Sequence, residues 1–122
     1  MRRAYEELLS ARLPLPGMAA CALRLSDGTL THRCFTRWLS PLQVQQAFAE
    51  LALSFEAVHQ QRPAALRTVW LFEHLRVMLC LRPDSACLAL FLENRADLPL
   101  EEVHALLEDF AQLAQPGSSG FN

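Results

Sequence analysis

Met18 to Leu25 reads Met-Ala-Ala-Cys-Ala-Leu-Arg-Leu, with Arg24 its single polar residue. A strand with one wet face alternates apolar and polar side chains. A run like this one suits a strand covered on both faces. The chain is therefore expected to build a sheet with other elements packed on each side. Its 122 residues, 52% of them hydrophobic, supply one core and one domain.

The remaining pattern agrees with such a layered arrangement. Residues 2–13 read as a helix, with Tyr5, Leu8, Leu9 and Leu13 on one side, ended by Pro14, Pro16 and Gly17. After Met18–Leu25, Asp27-Gly28 is expected to make a tight hairpin, since both residues tolerate positive φ. Thr29–Arg37 then forms a second strand of mixed polarity, suited to an exposed edge. Ser40-Pro41 opens a long helix, with serine as N-cap and proline at the first position, that runs to about Gln61 and stops before Pro63. Three strands follow, Leu66–Glu73, Leu75–Arg82 and Ala86–Glu93. The connection at Glu73-His74 is short and lacks glycine; Pro83-Asp84-Ser85 makes the other. Asp97 and Pro99 begin a last helix to about Ala114, with Val103, Leu106, Leu107, Phe110 and Leu113 on one face. The order is α-β-β-α-β-β-β-α, an α+β fold with a mainly antiparallel sheet and helices on both faces, over residues 1–114. Residues 115–122 are rich in Pro, Gly and Ser and are expected to be a disordered tail.

Several kinds of chemistry find no support. A net charge of −2 gives no reason to expect nucleic acid or an anionic membrane as partner. All eleven basic residues are arginine, which excludes lysine Schiff bases and a P-loop lysine; there are four glycines and no Gly-rich phosphate loop. His32, His59, His74 and His104 fall on different elements without metal-ligand spacing, and Cys21, Cys34, Cys80 and Cys87 form no C-x-x-C pair. The four cysteines read as buried thiols in a reducing compartment. The N-terminus lacks the apolar segment of a signal peptide and no apolar run spans a membrane, so a cytoplasmic address is expected. No catalytic, metal or cofactor residue is assigned; the chain is expected to be no enzyme.

Two features point outward. On a helical wheel Val44, Ala47, Phe48, Leu51, Phe55 and Val58 gather on one side of the middle helix, the stripe expected to face the sheet. Leu42, Ala49, Leu53 and Ala57 gather opposite, with Gln43, Glu50 and Ser54 on one flank between them and Gln45 and Glu56 on the other. A second stripe with small residues suggests a second packed surface; another part of the chain could equally cover it. The strand Leu66–Phe72 is apolar on both sides, with Thr68, Trp70 and Phe72 one way and Val69 and Leu71 the other. At a sheet edge it would be a sticky strand gated only by Arg67 and Glu73, which pairing with a second copy would cover; as an interior strand it would need no such cover. The expected interface is therefore Leu42, Ala49, Leu53 and Ala57 with Arg67, Thr68, Val69, Trp70, Leu71 and Phe72.

From Tyr5 to Leu113 this pattern resembles the roadblock/dynein light-chain domain family, including bacterial members that regulate small Ras-like GTPases. The resemblance rests on the helix leading into Pro16-Gly17, the strand ending in Leu25-Ser26-Asp27-Gly28, the long helix Pro41–Gln61, the strands Thr68–Phe72, Arg76–Leu81 and Cys87–Leu92, and the helix Pro99–Leu113. It implies a five-stranded antiparallel sheet with the third strand at an edge. It also implies a homodimer in which two such edges pair and the middle helices pack together, and a small GTPase or a larger scaffold as partner. Two other readings stay open: a dimeric chaperone of secreted effectors, which usually places three strands before the middle helix and two after, and a small-ligand sensor of a related sheet fold.

Overall fold

A computed structural model of the chain describes residues 2–61 and 67–113. Its elements are α1 (Arg2–Arg12), β1 (Met18–Arg24), β2 (Leu30–Cys34), α2 (Pro41–Gln61), β3 (Arg67–Leu71), β4 (Leu75–Leu81), β5 (Cys87–Glu93) and α3 (Leu100–Gln112). The five strands make one antiparallel sheet in the order β2-β1-β5-β4-β3. The apolar strand β1 lies inside the sheet and the mixed strand β2 at one edge; β3 forms the other edge. Two strands precede α2 and three follow it. Pro63, Leu66 and the tail Gln115–Asn122 lie outside the described residues.

Each face of the sheet has its own core. Tyr5 and Leu9 of α1 and Leu106, Leu107 and Phe110 of α3 pack on Cys21, Leu23, Leu88 and Leu90. On the other face Val44, Phe48, Ala52 and Phe55 of α2 pack on Ala20, Ala22, Leu79 and Phe91. The small residues of β1 let α2 come close to β1 and β2. The four buried residues of α2 centre the helix about 75° away from Val58 at 100° per residue. Val58, expected to face the sheet, is exposed, and Ala52 takes its place in the core.

Local chemistry fixes the element ends. Ser40 Oγ accepts the Gln43 N–H at 3.2 Å while Gln43 Oε1 accepts the Ser40 N–H at 2.8 Å, a reciprocal cap whose serine contributes about 1 kcal/mol. Two hairpins at one end of the sheet are built alike. In one, Leu25 O accepts from Gly28 N–H and Thr29 O from Leu25 N–H; in the other, Arg82 O accepts from Ser85 N–H and Ala86 O from Arg82 N–H. Asp27 and Asp84 each brace the turn by accepting the N–H two residues on. Positive φ falls on Gly28 and Ser85 alone in these turns, so Asp27 acts through its carboxylate and not through its backbone. The third hairpin needs no glycine, because neither Glu73 nor His74 adopts positive φ. Asn94 holds it instead, donating from Nδ2 to Phe72 O at 2.6 Å. The last helix begins at Leu100 and not at Asp97. Asp97 pairs with Arg95, and Leu98 is buried against Gly17, whose φ is +81° and whose hydrogen occupies space that no Cβ could share with Leu98.

Arg82 is the one buried charged side chain among the described residues. Its Nη1 donates to Phe110 O, which also takes the Leu113 cap N–H at 3.4 Å, and its Nη2 to Leu113 O at 2.7 Å, at the C-terminal end of α3. Asp84 balances the charge at 3.3 Å and accepts the Tyr5 hydroxyl at 3.0 Å. Burial on its own would raise the Asp84 pKa, but the Ala86 N–H, the Tyr5 hydroxyl and the Arg82 guanidinium outweigh it and hold the carboxyl below its ordinary range. This network ties α1, the β4–β5 turn and the end of α3 together.

Candidate interaction surface

The ladder decides which backbone groups β3 offers. Phe72 N–H donates to Leu75 O, and the register pairs Trp70 with Val77 and Thr68 with Leu79. Along an antiparallel strand alternate residues bond to the same neighbour. Phe72, Trp70 and Thr68 therefore turn their N–H and C=O groups toward β4, and Arg67, Val69 and Leu71 turn theirs away from the sheet. The side chains of Val69, Leu71 and Phe72 are 49%, 71% and 50% exposed. Thr68 and Trp70 are half-buried on the α2 side, and the Trp70 indole Nε1 is buried with no acceptor among the described residues. Arg67 forms an ion pair with Glu108, which ties the start of this strand to α3.

The outer face of α2 lies elsewhere. Gln45 reaches His32 of β2, and Glu56 pairs with Arg24 of β1 at 2.6 Å, so that flank of the helix looks toward the β2 edge. Ala49 and Leu53 lie next to it, and with Leu30, Phe48, Ala52 and Gly28 they line an open groove of about 290 Å³. Leu42 and Leu53 are 62% and 71% exposed. The opposite flank, through Leu51, Ser54 and Val58, is turned toward β4 and β3 by the geometry of the helix.

The expected interface residues thus fall into two groups. Arg67, Thr68, Val69, Trp70, Leu71 and Phe72 gather on the β3 edge. Leu42, Ala49 and Leu53 lean toward the β2 edge, which lies four strand spacings from β3, about 19 Å at the usual spacing. Ala57 sits between the groups. Leu30 and Val58 were missed as surface residues. Reading Thr29–Arg37 as an exposed edge strand carried a signal for Leu30; the wheel alone carried none for Val58.

Among the described residues no three His, Cys, Asp or Glu side chains gather as a metal site would require. The cysteines are free thiols, with Cys21, Cys80 and Cys87 buried. Burial pushes Cys21 up to about 11 and Cys87 up to about 12, so neither is a thiolate at neutral pH. No helix among the described residues is long and apolar enough to cross a membrane.

No family model and no curated protein matches the chain. Solved structures do. An MglB with a tetrameric arrangement superposes at TM-score 0.65 with 19% identity, over 90% of this chain and 84% of its own. The gliding protein MglB of Thermus thermophilus gives 0.65 and 18% over the same shares. The roadblock/LC7 domain from Streptomyces avermitilis gives 0.58 and 17%, over 84% of this chain and 91% of its own. The fold of the chain is the roadblock/LC7 fold, with its three helices and five-stranded antiparallel sheet.

Proposed function

We propose that the chain is a homodimeric protein-binding regulator or adaptor that acts in the cytoplasm on a small Ras-like GTPase or a larger scaffold. The observation that carries this reading is the β3 edge, which combines outward backbone groups with the exposed side chains of Val69, Leu71 and Phe72. Soluble proteins blunt such edges or cover them, and a second copy brings an edge of identical chemistry. The flank of α2 bearing Val58 faces the same way and extends that surface. Leu42, Ala49 and Leu53, with Leu30, lie outside it and remain open to the regulated partner. The buried free thiols suit a reducing compartment. Regulation on this reading works by contact, favouring one nucleotide state of the GTPase, with no group on this chain taking part in chemistry.

Light scattering tests the first half. The chain should run at twice its 13.7 kDa monomer mass. A monomer at micromolar concentration would remove the ground for the reading. The second half is tested by binding to a small GTPase loaded with GDP or with a non-hydrolysable GTP analogue. Preference for one state, lost in Leu53→Arg while the dimer mass persists, is the expected result; equal binding to both states would leave only the scaffold form.

A further inference from the structure

We propose, resting on the self-pairing of β3 above, that two copies join in one register, with the twofold axis at Trp70, so that Arg67 of each copy faces Glu73 of the other. In an antiparallel pair opposite residues share a face of the sheet. A symmetric pairing of β3 with itself must then have its axis on a residue and not between two. The axes that bring three or more of the outward residues Arg67, Val69, Leu71 and Glu73 opposite one another are Val69, Trp70 and Leu71.

The side chains separate these choices. With the axis at Val69, each Arg67 guanidinium lies opposite Leu71 of the second copy, and Glu73 lies beyond the strand's own residues. With the axis at Leu71, the Glu73 carboxylate meets the apolar Val69. With the axis at Trp70, Val69 meets Leu71, Thr68 meets Phe72 and Trp70 meets Trp70, so the exposed apolar side chains of each copy cover those of the other. Arg67 then meets Glu73, whose side chain is 87% exposed with the His74 imidazole 3.6 Å from its Oε1. Arg67 already pairs with Glu108, but a guanidinium has five donors and serves two carboxylates. The outward backbone groups of Arg67, Val69 and Leu71, continued to Glu73, are also centred on Trp70, so this register leaves the fewest of them unpaired.

Disulfide trapping reads the register in the full chain. Facing residues in a hydrogen-bonded pair have Cα atoms about 5.5 Å apart, within the span of a disulfide, whereas residues offset by two along the strand are roughly 9 Å apart and beyond it. Val69→Cys and Leu71→Cys change exposed side chains, so folding is retained, and the natural chain serves as control for its own four cysteines. With the axis at Trp70, co-expressed Val69→Cys and Leu71→Cys chains give an oxidised dimer band at least about tenfold stronger than either variant alone. Cross-linking of Val69→Cys alone puts the axis at Val69, and of Leu71→Cys alone at Leu71; either overturns the proposal. No cross-link in a chain that light scattering shows to be dimeric excludes all three registers and overturns the proposal while the dimer stands. A monomeric natural chain overturns both.

Discussion

The sheet has two edges, and the chain treats them in opposite ways. At β2 the strand carries Thr31, His32 and Arg33; His32 is engaged by Gln45 of α2 and Arg33 reaches Ser10 of α1. Two helices thus lean on that edge, and its polar side chains discourage a further strand. At β3 no polar side chain lies between Thr68 and Glu73, and the apolar residues there are half to largely exposed. The same backbone ladder therefore ends once in a guarded margin and once in an adhesive one. Adhesion at an edge is a matter of side chains, since outward N–H and C=O groups are present at both.

The largest expected effect belongs to neither edge and sets the scale for both. Arg82→Ala removes the donors to the end of α3 and leaves Asp84 without its buried counter-charge, a loss of about 3–5 kcal/mol. Chemical denaturation should show it. A loss below about 1 kcal/mol would mean that the network does not anchor α3.

Next comes proline at one outward position of each edge. The N–H groups of Val69 and His32 both point away from the sheet, as the ladder partners of their neighbours require. Proline at such a site removes no backbone bond of the ladder, though His32→Pro also gives up the side-chain bond to Gln45, and the proline ring blocks an approaching strand. Val69→Pro should weaken the dimer about 100-fold, and His32→Pro should leave the mass unchanged, both by light scattering across a dilution series. Equal behaviour of the two variants would erase the distinction between the edges.

A smaller contrast uses charge. Leu71→Arg sets a guanidinium opposite the apolar Val69 of the second copy and should weaken self-association about tenfold. Leu30→Arg, on the hairpin side of β2, should not change it. Loss of the dimer with Leu30→Arg would transfer the interface to the groove beside α2.

Most of this fold is written in local patterns: the doubly apolar run at Met18, the serine and proline at Ser40-Pro41, and the turn residues around Asp27 and Asp84. The adhesive character of β3 is equally local, because it lies in the residues of a single strand. What the pattern could not supply is how α2 is rotated over the sheet. Val44, Phe48 and Phe55 define a stripe, but only the small residues of β1 and the reach of Gln45 and Glu56 decide which flank faces which edge. Leu53 and Leu71 were therefore expected in one interface and lie toward opposite margins of the sheet. Arg82 was equally hidden, since an arginine before a turn looks solvent-exposed until α3 brings its carbonyls to it.

The finest contrast needs no substitution, because each edge has a thiol behind it. Cys21 lies beside Arg33 of β2 and Cys80 beside Arg67 of β3. Burial is the leading cause that raises both, Cys21 to about 11, and both lie in the core beneath α1 and α3, so alkylation requires a local opening of the fold. Their folded pKa values lie above the unfolded thiol's value of about 8.5, so the stability they contribute is fully present below that pH and is lost as pH rises from there through the folded values. The labelling pH must accordingly stay below the unfolded value. If β3 is the paired edge, a second copy holds it closed, and alkylation of Cys80 should slow about threefold to tenfold as protein concentration rises through the dimer range. Cys21 should react at one rate throughout, since β2 is held by helices of its own chain. Mass spectrometry of the labelled peptides separates the two. A concentration dependence at Cys21 with none at Cys80 would reverse the assignment of the edges, with β2 as the margin that a second copy covers.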